Sequence, residues 1–402
     1  MTKGTATPMV HLDTIPVQEQ PRMLSGLGEW DRVVGGGIVP GSLMVLTGDP
    51  GIGKSTLLLQ LGNNLAQQYR VFYFSTEESL HQIKLRAQRL SCKQTNLLFS
   101  DNALMDAIVA TVQQEKPDII IIDSIQNCYT ADSTSLPGSV GLLRELTFHF
   151  MRLAKEQGVA ILLSGHITKE GVIAGPKTME HMVDAVFYLQ GEDRLQTRVL
   201  RSVKNRFGTI NELGFFHMEA QGLQEVPNIN QYLVNEMTHA PGSVLVSILE
   251  GSRPLLLEIQ ALVITSKLSM PQRVVSGMDH KQVILIAAIL EKYLQVRLST
   301  HDIFFKISGG FKIAGSNADL GIALALLSSY FQQPLPQKSI ALGEIGLTGH
   351  IKSINHGALY AKEAEKFGIQ HFLIAHNQVL ESALCTIQRF KNVYELLSLF
   401  TE

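Results

Sequence analysis

Gly48-Asp-Pro-Gly-Ile-Gly-Lys54-Ser55-Thr56 matches the phosphate-loop pattern G-x4-G-K-[ST] in full. The apolar run Ser42–Thr47 before it reads as a buried strand, and Leu57–Leu65 after it reads as a helix. A glycine loop between strand and helix turns successive backbone N–H groups inward, and the helix N-terminus adds partial positive charge. Such a junction binds polyphosphate. Lys54 is expected to reach the β- and γ-phosphates and Ser55 to ligate Mg²⁺, with Gly48, Asp49, Pro50, Gly51, Ile52, Gly53 and Thr56 completing the site. The ligand expected is a nucleoside triphosphate. An accidental glycine-rich turn is the competing reading, and both flanks argue against it.

A chain of 402 residues is long for a single core and suggests two domains. Its 45% hydrophobic and 17% charged residues describe a globular protein. Net charge is 34 − 36 = −2, so contacts to nucleic acid must come from local basic patches and not from a global field. Cys92, Cys128 and Cys385 form no CxxC pair and cannot supply four zinc ligands, so no zinc site is expected and a reducing compartment is. The first 20 residues lack a basic segment followed by an apolar one, and no apolar run reaches about 18 residues. The expectation is a cytoplasmic protein without a membrane partner.

Residues 1–21 read as a loose polar arm. From 22 to 226, short apolar strands alternate with amphipathic helices, which predicts a parallel α/β sheet covered on both faces. Residues 227–239 read as a linker, and 240–402 as a smaller α+β domain.

Within the first domain, Asp118–Ile122 is an apolar strand ending in Asp123, an acid of the kind that holds Mg²⁺, usually through water. A strand-end Asp that caps a helix is the competing reading. Glu77 and Glu78 follow the strand Val71–Ser75 at a carboxyl end, where parallel sheets gather catalytic groups. One of them can orient or deprotonate the attacking water while the other serves the next helix. His166 follows Val159–Ser164 and suits sensing of the γ-phosphate, or simple polar packing. The glycine-rich segment 168–177, with Lys169 and Lys177, reads as a loop that orders on a partner. Arg198, Arg201, Lys204 and Arg206 then concentrate positive charge on one strand, as either a working face or a solvated edge.

These pieces together resemble the bacterial RadA (Sms) recombination proteins of the RecA-like ATPase superfamily. The resemblance runs through 48–56, STEES (75–79), IIIIDS (119–124), 165–184 and, most diagnostically, KNRFG (Lys204 to Gly208). It implies a RecA-like core and a hexameric, DNA-dependent ATPase that uses ATP and Mg²⁺ to drive branch migration beside a recombinase of the RecA type. Under it, Glu77 is the catalytic carboxylate, Asp123 supports the metal, and Lys54, Ser55 and Thr56 hold phosphates and Mg²⁺. His166 becomes a nucleotide contact, and Lys169 and Lys177 face DNA. Lys204 and Arg206 couple turnover to DNA as cations acting across a subunit interface. The four-cysteine zinc ribbon with which the family normally opens is absent from this sequence, as a natural short form or by removal.

Residues from about 240 resemble the proteolytic domain of Lon, which uses a serine activated by a lysine. The matching positions are Ala318 and Ala358, and Ser316 and Lys362 are out of register. The resemblance therefore implies a non-proteolytic ring scaffold, with Lys306, Lys312, Lys338 and Lys352 as candidate DNA contacts or ordinary solvated lysines. Two alternatives stand beside the motor: an ATP-dependent Lon-like protease, and a RecA-like nucleotide switch without motor activity.

Overall fold

The structure is a computed structural model that describes residues 9–14, 21–131, 135–166, 179–192, 197–210, 212–268, 270–308, 311–380 and 385–400. The chain divides into two compact units, Met1–Phe187 with Lys204–Gly208, and Tyr188–Val203 with Thr209–Glu402.

The first unit contains α1 (Gly28–Val34), β1 (Leu43–Gly48), α2 (Lys54–Leu65), β2 (Val71–Ser75), α3 (Leu80–Arg89), β3 (Leu97–Ser100), α4 (Met105–Glu115), β4 (Ile119–Asp123), α5 (Val140–Gln157) and β5 (Ala160–His166). Strands β6 (Ala185–Glu192) and β7 (Thr197–Asn205) each run across the division between the units. The order β3-β2-β4-β5-β1 is parallel at every pairing, and β6 lies beyond β1. Every residue of β1, β2 and β4 is buried, as expected of interior parallel strands with helices on both faces. Helix α5 seats Leu142, Leu146, Phe150 and Leu153 on one such face, against Val45, Ile120 and Leu163. Ser79 and Gln82 form a reciprocal capping box that starts α3 directly after Glu77 and Glu78. This topology brings the carboxyl ends of β1, β2, β4 and β5 to one edge, where the chemistry collects.

The second unit begins with an antiparallel run of β7, β8 (Leu213–Glu219) and β9 (Gly222–Glu225). It continues with α6 (Ile229–Asn235), β10 (Ser243–Glu250), β11 (Arg253–Thr265), β12 (Arg273–Ser276), α7 (His280–Leu294), β13 (His301–Ile307), α8 (Asp319–Phe331), β14 (Ser339–Leu342), β15 (Glu344–Ile345), β16 (Ile351–Lys352), α9 (Gly357–Lys366), β17 (His371–Ala375) and β18 (Thr386–Phe390). Its main sheet has the mixed order β12-β13-β11-β10-β14-β17-β18. Helix α8 is the center of the core, with Asp319–Ser329 buried throughout.

Three segments depart from the domain limits expected from sequence. Residues 188–203 and 209–226 group with the second unit and not the first. The polar stretch expected to be a linker contains α6, whose Ile229 and Leu233 are buried four residues apart on one helix face. Asn230 fixes it further, donating to Pro254 O at 2.8 Å and accepting from Leu256 N–H at 2.9 Å. The polar residues Asn228, Asn230 and Gln231 hid this packing.

Candidate active site

Strand β1 delivers Gly48 to the sheet edge, and the chain then turns through left-handed φ values of +76° at Gly51 and +116° at Gly53 before α2 begins at Lys54. A side chain at either glycine would be strained in that backbone region. The N-cap of α2 is Gly53, which has no side chain to cap the first turn, and a helix N-terminus of this kind favors an anion. Lys54 is 4% exposed, and its Nζ donates to Gly48 O at 2.9 Å and Asp49 O at 3.0 Å. Burial pushes the Lys54 pKa below its ordinary value, while the charges of Asp123, Glu77 and Asp49 oppose that shift. The charges of three carboxylates therefore act on this one lysine.

Asp123 ends β4 beneath this lysine and is held from two sides. Tyr73 Oη donates to its Oδ2 at 2.7 Å, and Ser164 Oγ donates to its Oδ1 at 2.6 Å. The three residues sit on neighboring strands β2, β4 and β5, so the sheet register itself fixes the carboxylate plane. Glu77 accepts the hydroxyl of Ser124, next in chain to Asp123. Thr76 joins the same edge through its hydroxyl, which donates to Ser124 O at 2.6 Å and accepts from Ser124 N–H at 2.8 Å.

The two adjacent glutamates separate in role. Glu78 pairs with Arg86 of α3 at 2.5 Å and its N–H meets Ser75 Oγ, while the exposed Glu77 turns toward Ser124 and the lysine. His166 is the last residue of β5 and its backbone is in register with Gly48, which sets it at the loop. Lys169 and Lys177 lie outside the described residues. The donor set fits a magnesium nucleotide: the N-terminus of α2, a buried lysine, the Ser55 hydroxyl and two carboxylates.

Lys204 and Arg206 form a second cluster. Lys204 Nζ donates to Glu180 O at 2.5 Å, and Arg206 pairs with Asp184 at 3.2 Å. Burial and the charge of Arg206 lower the Lys204 pKa against the pull of Glu180 and Asp184. The remaining members of KNRFG are architectural. Asn205 Nδ2 donates to the terminal carbonyls of α1 at Val33 and Val34, and its Oδ1 accepts from Phe207 N–H. Arg22 bridges Gly35 O and Phe207 O at 2.5 and 2.7 Å. Of the other basic residues noted in sequence, Arg201 pairs with Glu250 at 3.4 Å and Arg198 donates to Thr197 O.

In the second unit, Ala318 is fully buried just before α8, and Ala358 is exposed in α9. Ser316 donates to Glu344 at 2.9 Å, and Lys352 lies 3.9 Å from the same carboxylate. Sequence reasoning missed Tyr73, Ser164 and Asp184. Tyr73 had a readable signal, since it stands two residues before Ser75 on the same face of β2.

The fold and loop define a phosphate-loop nucleotide-binding protein of the α/β class. The family model described as "AAA domain" matches residues 27–172, and that described as "Subunit ChlI of Mg-chelatase" matches 279–378. The chain is 43% identical over 364 residues to the DNA repair protein RadA of Pseudomonas aeruginosa, covering 90% of this chain and 80% of that one. The corresponding figures are 42% over 365 residues for Bacillus subtilis RadA (90% and 80%) and 41% over 396 for Escherichia coli RadA (97% and 86%). Among solved structures, the ATPase domain of G40P aligns at 15% identity with a TM-score of 0.45, covering 51% of this chain and 92% of that one. The chain belongs to the RadA family of bacterial DNA repair proteins.

Proposed function

We propose that the chain is a DNA-dependent ATPase of DNA repair and recombination, working as a ring of six copies that drives branch migration beside a recombinase of the RecA type in the cytoplasm. Lys54, Ser55 and Thr56 bind the triphosphate, Glu77 orients and deprotonates the attacking water, and Asp123 supports Mg²⁺ through water. Bound Mg²⁺ supplies charge neutralization on the β- and γ-phosphate oxygens. Asp123, fixed by Tyr73 and Ser164, presents its charge without reorganizing during the reaction.

The observation that carries the reading is the separation of the two cationic clusters. Lys54 Nζ donates to Gly48 O and Asp49 O, whereas Lys204 Nζ donates to Glu180 O and Arg206 pairs with Asp184. Among the described residues, KNRFG is thus anchored by its own chain to α1 and Asp184: Asn205 holds α1 and Arg206 holds Asp184. That arrangement suits delivery of Lys204 and Arg206 to the loop of a neighboring copy, as trans-acting cations worth several kcal/mol in transition-state charge stabilization. Lys169 and Lys177 belong to the DNA-facing segment in this reading, and His166 senses the γ-phosphate. The second unit serves as a Lon-like ring scaffold and DNA surface without peptidase activity, since neither Ala318 nor Ala358 can attack a carbonyl or carry a proton.

The test is ATP hydrolysis by the full chain with and without single-stranded DNA, beside branch-migration and casein-cleavage assays. Stimulated turnover with strand movement and no cleavage supports the motor. Cleavage of casein, or autophosphorylation without stimulation by DNA, contradicts it.

A further inference from the structure

Asp184 uses both carboxylate oxygens at once. Oδ2 accepts the backbone N–H of Leu43 at 3.0 Å, and Oδ1 accepts Arg206 Nη1 at 3.2 Å. Its main chain repeats the pattern, with Asp184 N–H donating to Leu43 O at 2.9 Å and Arg206 N–H donating to Asp184 O at 3.0 Å. The carboxylate is 11% exposed while the Arg206 side chain is 54% exposed, so a nearly buried anion holds one terminal guanidinium nitrogen of a half-exposed arginine. Leu43 opens β1, the strand whose last residue is Gly48 of the phosphate loop. One carboxylate therefore ties the phosphate-loop strand of a subunit to the cation that subunit presents.

We propose that Asp184 is the positioning residue for Arg206, fixing its reach toward the adjoining copy and joining that reach to the copy's own β1. The inference rests on the trans-acting role of Lys204 and Arg206 given above. The physical basis is that a guanidinium paired through one nitrogen keeps its planar fork aimed, with the other N–H groups free for a phosphate oxygen. Loss of the carboxylate charge lets a long side chain wander, and a misplacement of about 1 Å costs roughly 100-fold in a positioned reaction.

The test uses Asp184→Asn in the full chain, because asparagine retains an oxygen for Leu43 N–H and loses the charge that holds Arg206. DNA-stimulated kcat should fall between about 10- and 100-fold with KM for ATP unchanged. Asp184→Asn subunits are then mixed with Glu77→Gln subunits. A Glu77→Gln copy cannot hydrolyze ATP but carries an intact Asp184–Arg206 pair, so it should restore turnover at the site of an Asp184→Asn neighbor. Arg206→Ala mixed with Glu77→Gln is run in parallel. Recovery in both mixtures supports the proposal. Recovery with Arg206→Ala alone means that Asp184 acts within its own subunit, which overturns the proposal and leaves the trans reading standing. Recovery in neither overturns both. If Asp184→Asn fails to fold, Asp184→Glu keeps the charge, displaces it by one methylene and enters the same mixtures.

Discussion

Tyr73 donates its hydroxyl to Asp123 at 2.7 Å with both residues buried between the helix layers of the first unit. Burial and the adjacent carboxylate raise the phenol pKa well above its ordinary value, so Tyr73 stays a donor at every working pH. With Ser164 on the other oxygen, the Asp123 carboxyl is held in one orientation.

Tyr73→Phe removes one of those two bonds and leaves the ring packed. Stability should drop by about 1–3 kcal/mol, since a buried carboxylate loses a partner. Turnover should fall several-fold, with more Mg²⁺ needed for half-maximal activity. Thermal unfolding and a magnesium titration of the ATPase check both effects. An unchanged magnesium dependence would remove Asp123 from the metal's surroundings.

The paired glutamates should separate cleanly. Glu77→Gln is expected to bind ATP and lose at least about 100-fold in turnover, the usual worth of a positioned base. Glu78→Gln breaks a partly exposed pair with Arg86 and should cost no more than about 1 kcal/mol, with turnover near that of the parent. Nucleotide-binding fluorescence and steady-state kinetics distinguish them. Lys54→Ala should abolish binding in the same assay.

Gly208 owes its identity to a close approach. A Cβ there would lie 2.8 Å from Gly35 Cα and 3.1 Å from Asn205 Nδ2. The Gly35 backbone cannot give way cheaply, and Asn205 is held by its bonds to α1, so Gly208→Ala should shift the turn that carries Lys204 and Arg206. DNA-stimulated turnover is expected to fall as in Lys204→Ala, while ATP binding persists. Normal strand migration by Lys204→Ala would contradict the role assigned to the motif.

Asp319 is 4% exposed in the second unit, and burial pushes its pKa up to about 6, against hydrogen bonds from Gln282 and Ile345 N–H that favor the charge. Its folded pKa lies above the unfolded one, so the stabilization is complete below about pH 3.8 and is lost as pH rises through about 6. Relative to Asp319→Asn, the parent should therefore lose up to about 3 kcal/mol between those limits and little beyond. Urea denaturation of both proteins at a series of pH values measures the difference. A difference that is flat across the window, or that grows with pH, contradicts the assignment.

The interior strands of the first unit could be read to within a residue or two, because interior parallel strands are continuous apolar runs, whereas the partly exposed edge strand Leu97–Ser100 carries too short a run and was not legible. The phosphate loop, Glu77 and Asp123 were legible for the same reason: each sits where a strand ends. What stayed hidden depends on contacts distant in sequence. Asp184 meets Leu43 across 141 positions and Asn205 meets Val33 across 172, and no local pattern encodes such pairings. Helix α6 was concealed by polar residues whose partner, Asn230 to Pro254, appears only once β11 is in place.

In the proposed ring, each phosphate loop is completed by KNRFG from the adjoining copy. The most direct measurement is an electron cryo-microscopy structure of the full chain with single-stranded DNA and a non-hydrolyzable ATP analogue. The expected result is Lys204 and Arg206 of one subunit within about 4 Å of the γ-phosphate held at Gly48–Thr56 of the next. Lys204 and Arg206 remote from every nucleotide, or turned onto the loop of their own subunit, would contradict it.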